Sequence, residues 1–405
     1  MMSPPRWLAI LGIGEDGVEG LTPAARALLG AAEVVYGGAR HIALAADAIR
    51  GEARPWPSPM GAAFPGLLDL RGRPVAVLAS GDPYCYGIAT RLAQRVPVEE
   101  TLCLPAPSSF SLACARLGWP LPEAATVSLC GRPLPTLIPH LQPGARLLVL
   151  SADGTTPGVV ADLLRTRGFG ASRMHVLEAL GGPRERVRSC RASDRLPADI
   201  DPLNLLALEL EAAADALVLP LASGLPDEMF EHDGQLTKQE VRAVTLASLA
   251  PRQGELLWDV GAGSGSIGIE WLLRHRANHA VAIERDPARA ARAARNAASL
   301  GVPRLAVIEG AAPEAFAGLP PPDAAFIGGG AEQAGVLEAV WEALRPGGRI
   351  VVNAVTIQTE ALLLRACETH GGALRRISVE RLESLGSLHA FRPAMTVTQW
   401  AATRR

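Results

Sequence analysis

Residues 256–270 read LLWDVGAGSGSIGIE. An apolar run closes on an acid, three glycines follow at alternate positions (Gly261, Gly263 and Gly265), and an apolar periodic stretch resumes. That order predicts strand, tight loop and helix, because glycine lets the backbone turn sharply and lets a ligand approach with no Cβ in the way. Unpaired N–H groups at the helix start then face the ligand. Glu284 ends the next apolar run, where a carboxylate can accept both hydroxyls of a ribose. The spacing therefore fits an adenosine-bearing ligand.

Two ligand classes fit the loop. Gly263, Gly265 and Gly268 satisfy the dinucleotide fingerprint. Asp259, just before the loop, favours S-adenosylmethionine, whose amino-acid end an acid can hold. The succession around the loop predicts a doubly wound, mostly parallel α/β sheet. Its expected elements are a helix at 237–249, strands at 255–260, 280–283, 305–308, 324–327 and 349–352, and helices at 267–274, 287–300 and 336–344. Two tail strands, 377–382 and 395–400, follow with no helix expected between them and should pair antiparallel at the edge.

The first half shows a second α/β alternation. Strands are expected at 8–13, 34–36, 75–79, 127–129, 147–150 and 203–208. Thr22 before Pro23 and Thr156 before Pro157 predict helix caps with proline at the first helical position. The turn-rich, aperiodic stretch 222–235 marks the expected junction, giving domains 1–222 and 223–405. A chain of 405 residues is long enough for two cores.

Charge narrows the partners. A net charge of −2 provides no positive field for nucleic acid. Met1 to Trp7 carry no secretory pattern, and apolar runs such as 203–210 stop short of bilayer length, so a cytoplasmic protein without a membrane partner is expected. Cys85, Cys103, Cys114, Cys130, Cys190 and Cys367 share no ligand spacing, and no metal is expected. Among 39 basic residues, Lys238 is the one lysine.

The motifs LTKQEVRA, WDVGAGSGSIGIEW, EGAAPEA and AFIGGG, within residues 227–357, resemble the decarboxylating precorrin methyltransferase domain of the cobalamin pathway. That resemblance implies a Rossmann-like methyltransferase fold with an antiparallel edge strand. It implies that Gly261, Ala262, Gly263, Ser264 and Gly265, with Glu284, hold the cofactor. It places Thr237 at the amino-acid end of S-adenosylmethionine and Ala311 and Ala312 beside its adenine, although the family usually has an acid where this chain has Ala311. Gly328, Gly329 and Gly330, a glycine loop after a strand end, are expected on the substrate side. Lys238, Glu240 and Arg242, at the start of a helix, are candidates for handling a proton during decarboxylation. Glu240 also reads as a capping-box acid, three residues after Thr237.

WLAILGIGEDG, VAVLASGDPYCYG, LPAPSSFSLACARLGWP and VSLCGR resemble the two-lobed tetrapyrrole methylase family, over about residues 6–210. Carried over by position, Gly12, Gly14, Gly81, Asp82, Ser108, Ser109, Cys130 and Gly131 would hold a second S-adenosylmethionine, one per domain. Glu15 stands where the family usually has proline. Together the resemblances imply methylation of precorrin-6Y at carbons 5 and 15 with loss of an acetate carboxyl, by an enzyme expected to be a homo-oligomer. For a substrate fringed with carboxylates, arginine forks suit recognition better than point charges.

Overall fold

The computed structural model describes residues 6–405. Met1 to Pro5, read above for a secretory signal, lie outside the described residues. The chain forms two compact units dividing between Val218 and Leu219, with Pro135–Pro139 grouped with the second.

The first unit has two lobes. In the first lobe, β1 (Leu8–Ile13), β2 (Val34–Gly37), β3 (Glu52–Pro55), β4 (Val75–Ser80) and β5 (Thr101–Leu104) alternate with α1 (Pro23–Ala31), α2 (Ala39–Leu44), α3 (Phe64–Leu68) and α4 (Ala89–Leu92). The strands form one parallel sheet of order β3-β2-β4-β1-β5. Every residue of β1 is buried, as a central parallel strand covered on both faces requires. Thr22 caps α1 as expected, its Oγ1 accepting from the Ala25 N–H.

Helix α5 (Ser109–Leu117) leads into the second lobe, where β6 (Ala124–Ser128), β7 (Arg146–Leu150), β8 (Arg173–Glu178), β9 (Arg186–Arg191) and β10 (Asn204–Glu209) form a mixed sheet of order β6-β7-β10-β8-β9. Helix α6 (Thr156–Thr166) starts one residue earlier than its sequence suggests. Thr155 holds the cap position and Pro157 is second in the helix, while the Asp153 carboxylate accepts from the Thr155 and Thr156 N–H groups.

The second unit runs α7 (Gln239–Leu249), β11 (Leu256–Val260), α8 (Ser266–Arg274), β12 (His279–Glu284), α9 (Pro287–Ser299), β13 (Ala306–Glu309), β14 (Ala324–Ile327), α10 (Val336–Ala343), β15 (Arg349–Ala354) and α11 (Ile357–His370). Then come β16 (Ala373–Ile377), β17 (Glu380–Leu385), β18 (Leu388–Pro393) and β19 (Val397–Thr403). The sheet order is β13-β12-β11-β14-β15-β19-β16, parallel through β15, with β19 antiparallel to both of its neighbours. Antiparallel pairing in the tail was expected, but the cut differs. The expected strand 377–382 breaks into the end of β16 and the start of β17, and β17 pairs with β18 in a separate hairpin.

The stretch 222–235 is anchored rather than loose, because Leu225 and Phe230 are buried within the second unit. Both oxygens of Glu270 on α8 hold it, accepting from the Gly224 and Leu225 N–H groups at 2.7 and 2.9 Å. Turn-forming composition concealed two apolar anchors spaced too irregularly to show a period.

Candidate active sites in two clefts

In the second unit the strand order reverses direction between β11 and β14, the place where ligands of such sheets bind. The loop after β11 and the glycines after β14 meet there. A Cβ on Gly261 would stand 2.6 Å from the Gly329 carbonyl oxygen, so only glycine permits this approach. A cavity of about 590 Å3 opens beside them. Thr237, Asp259, Gly261, Ala262, Gly263, Ser264, Glu284, Ala312, Gly328, Gly329 and Gly330 line it, which brings together most of the residues expected here. Gly265 does not line it. It caps α8 at φ 77°, and a Cβ there would press on Ala293 of α9 at 3.0 Å, so this glycine serves packing. Ala311 is exposed and also outside the lining, leaving Ala312 as the segment's contact.

The two acids of the cleft differ in environment. Glu284 accepts from the Gly263 N–H at 2.8 Å and the Asp286 N–H at 3.0 Å, which ties the glycine loop to the end of β12. Asp259 is fully buried. One of its oxygens accepts from the Gly268 N–H at 2.8 Å, and the other has no protein partner. Burial, with Glu284 nearby, pushes the Asp259 carboxyl up to about 7. An unpartnered carboxyl oxygen in a cavity fits a cationic ammonium, the group that S-adenosylmethionine presents at its amino-acid end.

The three proton-handling candidates do not line the cavity. Arg242 is wholly buried and works inside the fold. It pairs with Glu270 at 2.8 Å and Asp227 at 2.9 Å, donates to the Thr237 and Leu225 carbonyls, and lies over the Phe230 ring. Glu240 is exposed and pairs with Arg381 of β17 at 2.6 Å. Helix α7 is capped at Lys238 without a side-chain bond, so the capping box expected from Thr237 does not form. Lys238 is half-exposed, its Nζ 3.9 Å from Asp227. The segment's charged residues pattern like an active-site helix, and only tertiary contacts reveal that Arg242 points into the core.

In the first unit a cavity of about 470 Å3 is walled by the ends of β1 and β4, the start of α5 and the second lobe's β7, β8 and β10. Gly14, Gly81, Asp82, Ser108, Ser109 and Cys130 line it. Gly12 and Gly131 do not. Gly12 instead lets β1 pass the backbone at Gly81 and Ala106, where a Cβ would sit 2.0 Å from the Gly81 oxygen. Gly131 is exposed, in a left-handed turn at φ 65°. Ser108 caps α5 by accepting from the Ser111 N–H, and Asp82 accepts from the Tyr84 N–H at 2.8 Å, so both lining residues also shape the local backbone.

The cavity also contains Glu15 and residues that motif reading passed over: Arg40, His41, Ser80, Ser151 and Asn204. Glu15, in the position expected of proline, pairs with Arg40 and with Arg184. Arg40 also donates to His41 Nε2 and Ser80 Oγ, each at 3.0 Å. Burial and the Arg40 charge hold the His41 imidazole down to about 4, so it is neutral at pH 7. Arg40 and His41 follow a glycine pair at the end of β2, the same signal that marked the other loops. Three buried polar atoms here have no protein partner, namely His41 Nδ1, Ser151 Oγ and Asn204 Oδ1. Such atoms call for a polar ligand. Among the described residues no three His, Cys, Asp or Glu side chains converge as metal ligands, and no helix is long and apolar enough to cross a membrane.

Two α/β units, each with a glycine-lined cleft at its strand ends, define a two-domain methyltransferase, and the family comparisons agree. The Tetrapyrrole (Corrin/Porphyrin) Methylases model matches residues 8–194, and the Precorrin methyltransferase domain model matches residues 228–404. A precorrin-6Y C(5,15)-methyltransferase [decarboxylating] of Sinorhizobium sp is 54% identical over 98% of this chain and 96% of its own. The protein of that name from Mycobacterium tuberculosis (strain ATCC 25618 / H37Rv) is 42% identical over 98% of this chain and 100% of its own. The crystal structure of the C-terminal domain of precorrin-6Y C5,15-methyltransferase from Rhodobacter capsulatus is 44% identical, covering 46% of this chain and 100% of that one, with a TM-score of 0.44. The chain belongs to the family of decarboxylating precorrin-6Y C(5,15)-methyltransferases.

Proposed function

We propose that each unit binds one S-adenosylmethionine, that the first methylates precorrin-6Y at carbon 5, and that the second methylates carbon 15 and removes the acetate carboxyl. S-adenosylmethionine supplies an electrophilic methyl group on sulfonium sulfur. The observation that carries the two-cofactor reading is that unpartnered buried polar atoms occur in both clefts: Asp259 Oδ1 in one, and His41 Nδ1, Ser151 Oγ and Asn204 Oδ1 in the other. In the second cleft Asp259 would take the ammonium and Glu284 the ribose. In the first, Gly81, Asp82, Ser108 and Ser109 would hold the cofactor. A reduced tetrapyrrole already offers an electron-rich carbon, so these residues mainly align donor and acceptor. Equilibrium dialysis with S-adenosylhomocysteine should give two sites per chain, and mass spectrometry of the product from precorrin-6Y should show two added methyl groups and one lost carboxyl. One site per chain, or a product without carboxyl loss, would reject the assignment.

The chain also reads as a cytoplasmic homo-oligomer with no nucleic-acid partner. Supporting self-association, Leu382 and Phe391 face each other across the β17–β18 hairpin and are 58% and 67% exposed. A two-stranded ribbon has little stability of its own, and an exposed apolar ribbon invites pairing. Light scattering of the double variant Leu382→Ser, Phe391→Ser should report a smaller assembly than the parent; an unchanged mass would reject the hairpin as the contact.

A further inference from the structure

The second cleft has two sides. The loop after β11, Glu284 at the end of β12 and the two lining arginines, Arg285 and Arg289, belong to the cofactor side. The other side is built from the ends of β14 and β15 and the approach to β19, and it is lined by Phe326, the loop Gly328 to Gly330 with Glu332 and Gln333, and by Asn353, Val355, Met395 and Val397. Among the described residues no lysine or arginine of β14, β15, β19 or their adjoining loops lines the cleft, and the one cation that reaches this side, Arg285 from the end of β12, donates to the Gln333 carboxamide oxygen at 3.0 Å. Its firmly held polar side chain is Asn353. The Asn353 Nδ2 donates to Thr245 Oγ1 at 3.0 Å, and its Oδ1 accepts from Gln399 Nε2 at 3.0 Å. Gln399 in turn donates to Thr245 Oγ1 at 3.2 Å and accepts from Ser248 Oγ at 2.8 Å. Thr245 and Gln399 are wholly buried, so α7, β15 and β19 together fix the carboxamide's orientation. One N–H of Asn353 remains unused, because an amide nitrogen carries two.

We infer that Asn353 is the residue that hydrogen-bonds the departing carboxylate in the second cleft, holding it with a neutral donor instead of a cation. This rests on the decarboxylating methylation proposed above. In that reaction the bond from the acetate CH2 to its carboxylate breaks. The electron pair enters the conjugated macrocycle and emerges as a bond from carbon 15 to the incoming methyl carbon. The sulfur–methyl bond breaks with its pair left on sulfur. The acetate carbon is left as an exocyclic methylene and becomes a methyl group by gaining a proton as carbon 15 gives one up; the carboxylate's negative charge cancels the sulfonium's positive charge, so the exchange balances with no net proton. A guanidinium or ammonium on the carboxylate would stabilise the ground state and vanish as a partner once carbon dioxide forms, which raises the barrier. A single fixed amide N–H orients the group at little such cost. The pairing of Arg285 with Gln333 leaves that cation engaged by a carboxamide, and Lys238 and Arg242 stand outside the cavity.

The test uses the full chain with S-adenosylmethionine and precorrin-6Y, following carbon dioxide release, methyl count by mass spectrometry, S-adenosylhomocysteine affinity and melting temperature. Asn353→Asp replaces the donor with a repelling carboxylate and should slow carbon dioxide release by about 100-fold, the loss expected when a reacting group is misplaced by about 1 Å. Asn353→Lys should lower KM and kcat together, since a cation holds the carboxylate too well. Thr245→Val, which removes the anchor without entering the cavity, should slow release by about tenfold, with cofactor affinity unchanged. Release by Asn353→Asp and Thr245→Val within twofold of the parent per folded molecule, with only the melting temperature lowered, would show the network to be structural and overturn the inference. A parent protein that methylates carbon 15 without releasing carbon dioxide would overturn the decarboxylation reading and the inference with it.

Discussion

Arg242 Nε meets Glu270 Oε1 at 2.8 Å with neither side chain exposed to solvent. The pair joins α7 to α8, and through Glu270's bonds to Gly224 and Leu225 it also secures the entry to the second unit. A buried ion pair contributes little net stability when intact, yet removing one partner strands the other charge.

Arg242→Met should therefore cost the second unit roughly 3–5 kcal/mol and lower its melting temperature by on the order of 10 °C, with little loss of turnover per folded molecule. Calorimetry resolving separate transitions would check this. The same clamp predicts where the chain divides. Cleavage near Leu219 should leave two folded pieces, whereas cleavage after Leu225 should destabilise the second.

The glycines of the second cleft should separate by role. Gly263 is at φ 57° and its Cβ would meet only the Gln235 oxygen, at 3.8 Å, so Gly263→Val should weaken S-adenosylhomocysteine binding at that cleft by intruding on ligand space. Gly265→Val should instead lower the melting temperature, because its side chain would drive into Ala293. Titration calorimetry and thermal melts on both variants would distinguish the two effects, and neither change should touch binding in the first cleft.

Asp259 makes two pH predictions. Its folded pKa of about 7 lies above the ordinary aspartate value of 3.8. The folded state therefore holds the proton more tightly than the unfolded one. Its contribution is fully present below about pH 4 and is lost as pH rises toward and through 7, so Asp259→Asn should flatten that fall in stability. An ammonium placed against the carboxyl favours its charged form, so binding S-adenosylhomocysteine near pH 6 should release protons from this site. Calorimetry in buffers of different ionisation enthalpy should detect the release in the parent and not in Asp259→Asn.

Glu240→Gln should leave carbon dioxide release within about twofold of the parent, because Glu240 faces Arg381 and not the cavity. Both partners of that pair are nearly half-exposed. Exposed pairs contribute about 0–1 kcal/mol, so the melting temperature should shift by only a few degrees. A loss of turnover above tenfold in a fully folded variant would return Glu240 to the reaction.

Much of the architecture was legible because it depends on local order. Strand, glycine loop and helix follow one another at 256–274, and the spacing of Asp259, Gly261, Gly263 and Glu284 survives into the cavity since all four sit on adjacent strand ends. The short strands β3, β5, β8 and β9 were not legible. Two of them, β3 and β9, are largely exposed and charged, so no apolar alternation marks them, and only pairing with a neighbour makes them strands. Helix α11 was missed because the run Leu362 to Leu364 blurs its apolar period and its buried side is narrow, confined to Thr359, Leu363 and Ala366.

The sequence by itself determined two α/β units, the glycine loops at their strand ends and the family motifs that name the chemistry, since each depends on residues a few positions apart. Tertiary structure alone decided which side chains face the cavities. Arg242 was turned into the core by Glu270, 28 residues away. Asn353 was fixed at the cavity wall by Thr245 and Gln399, 108 and 46 residues distant. The direction of a charged or amide side chain is set by the partner that repays its desolvation, and in both cases that partner comes from a remote element.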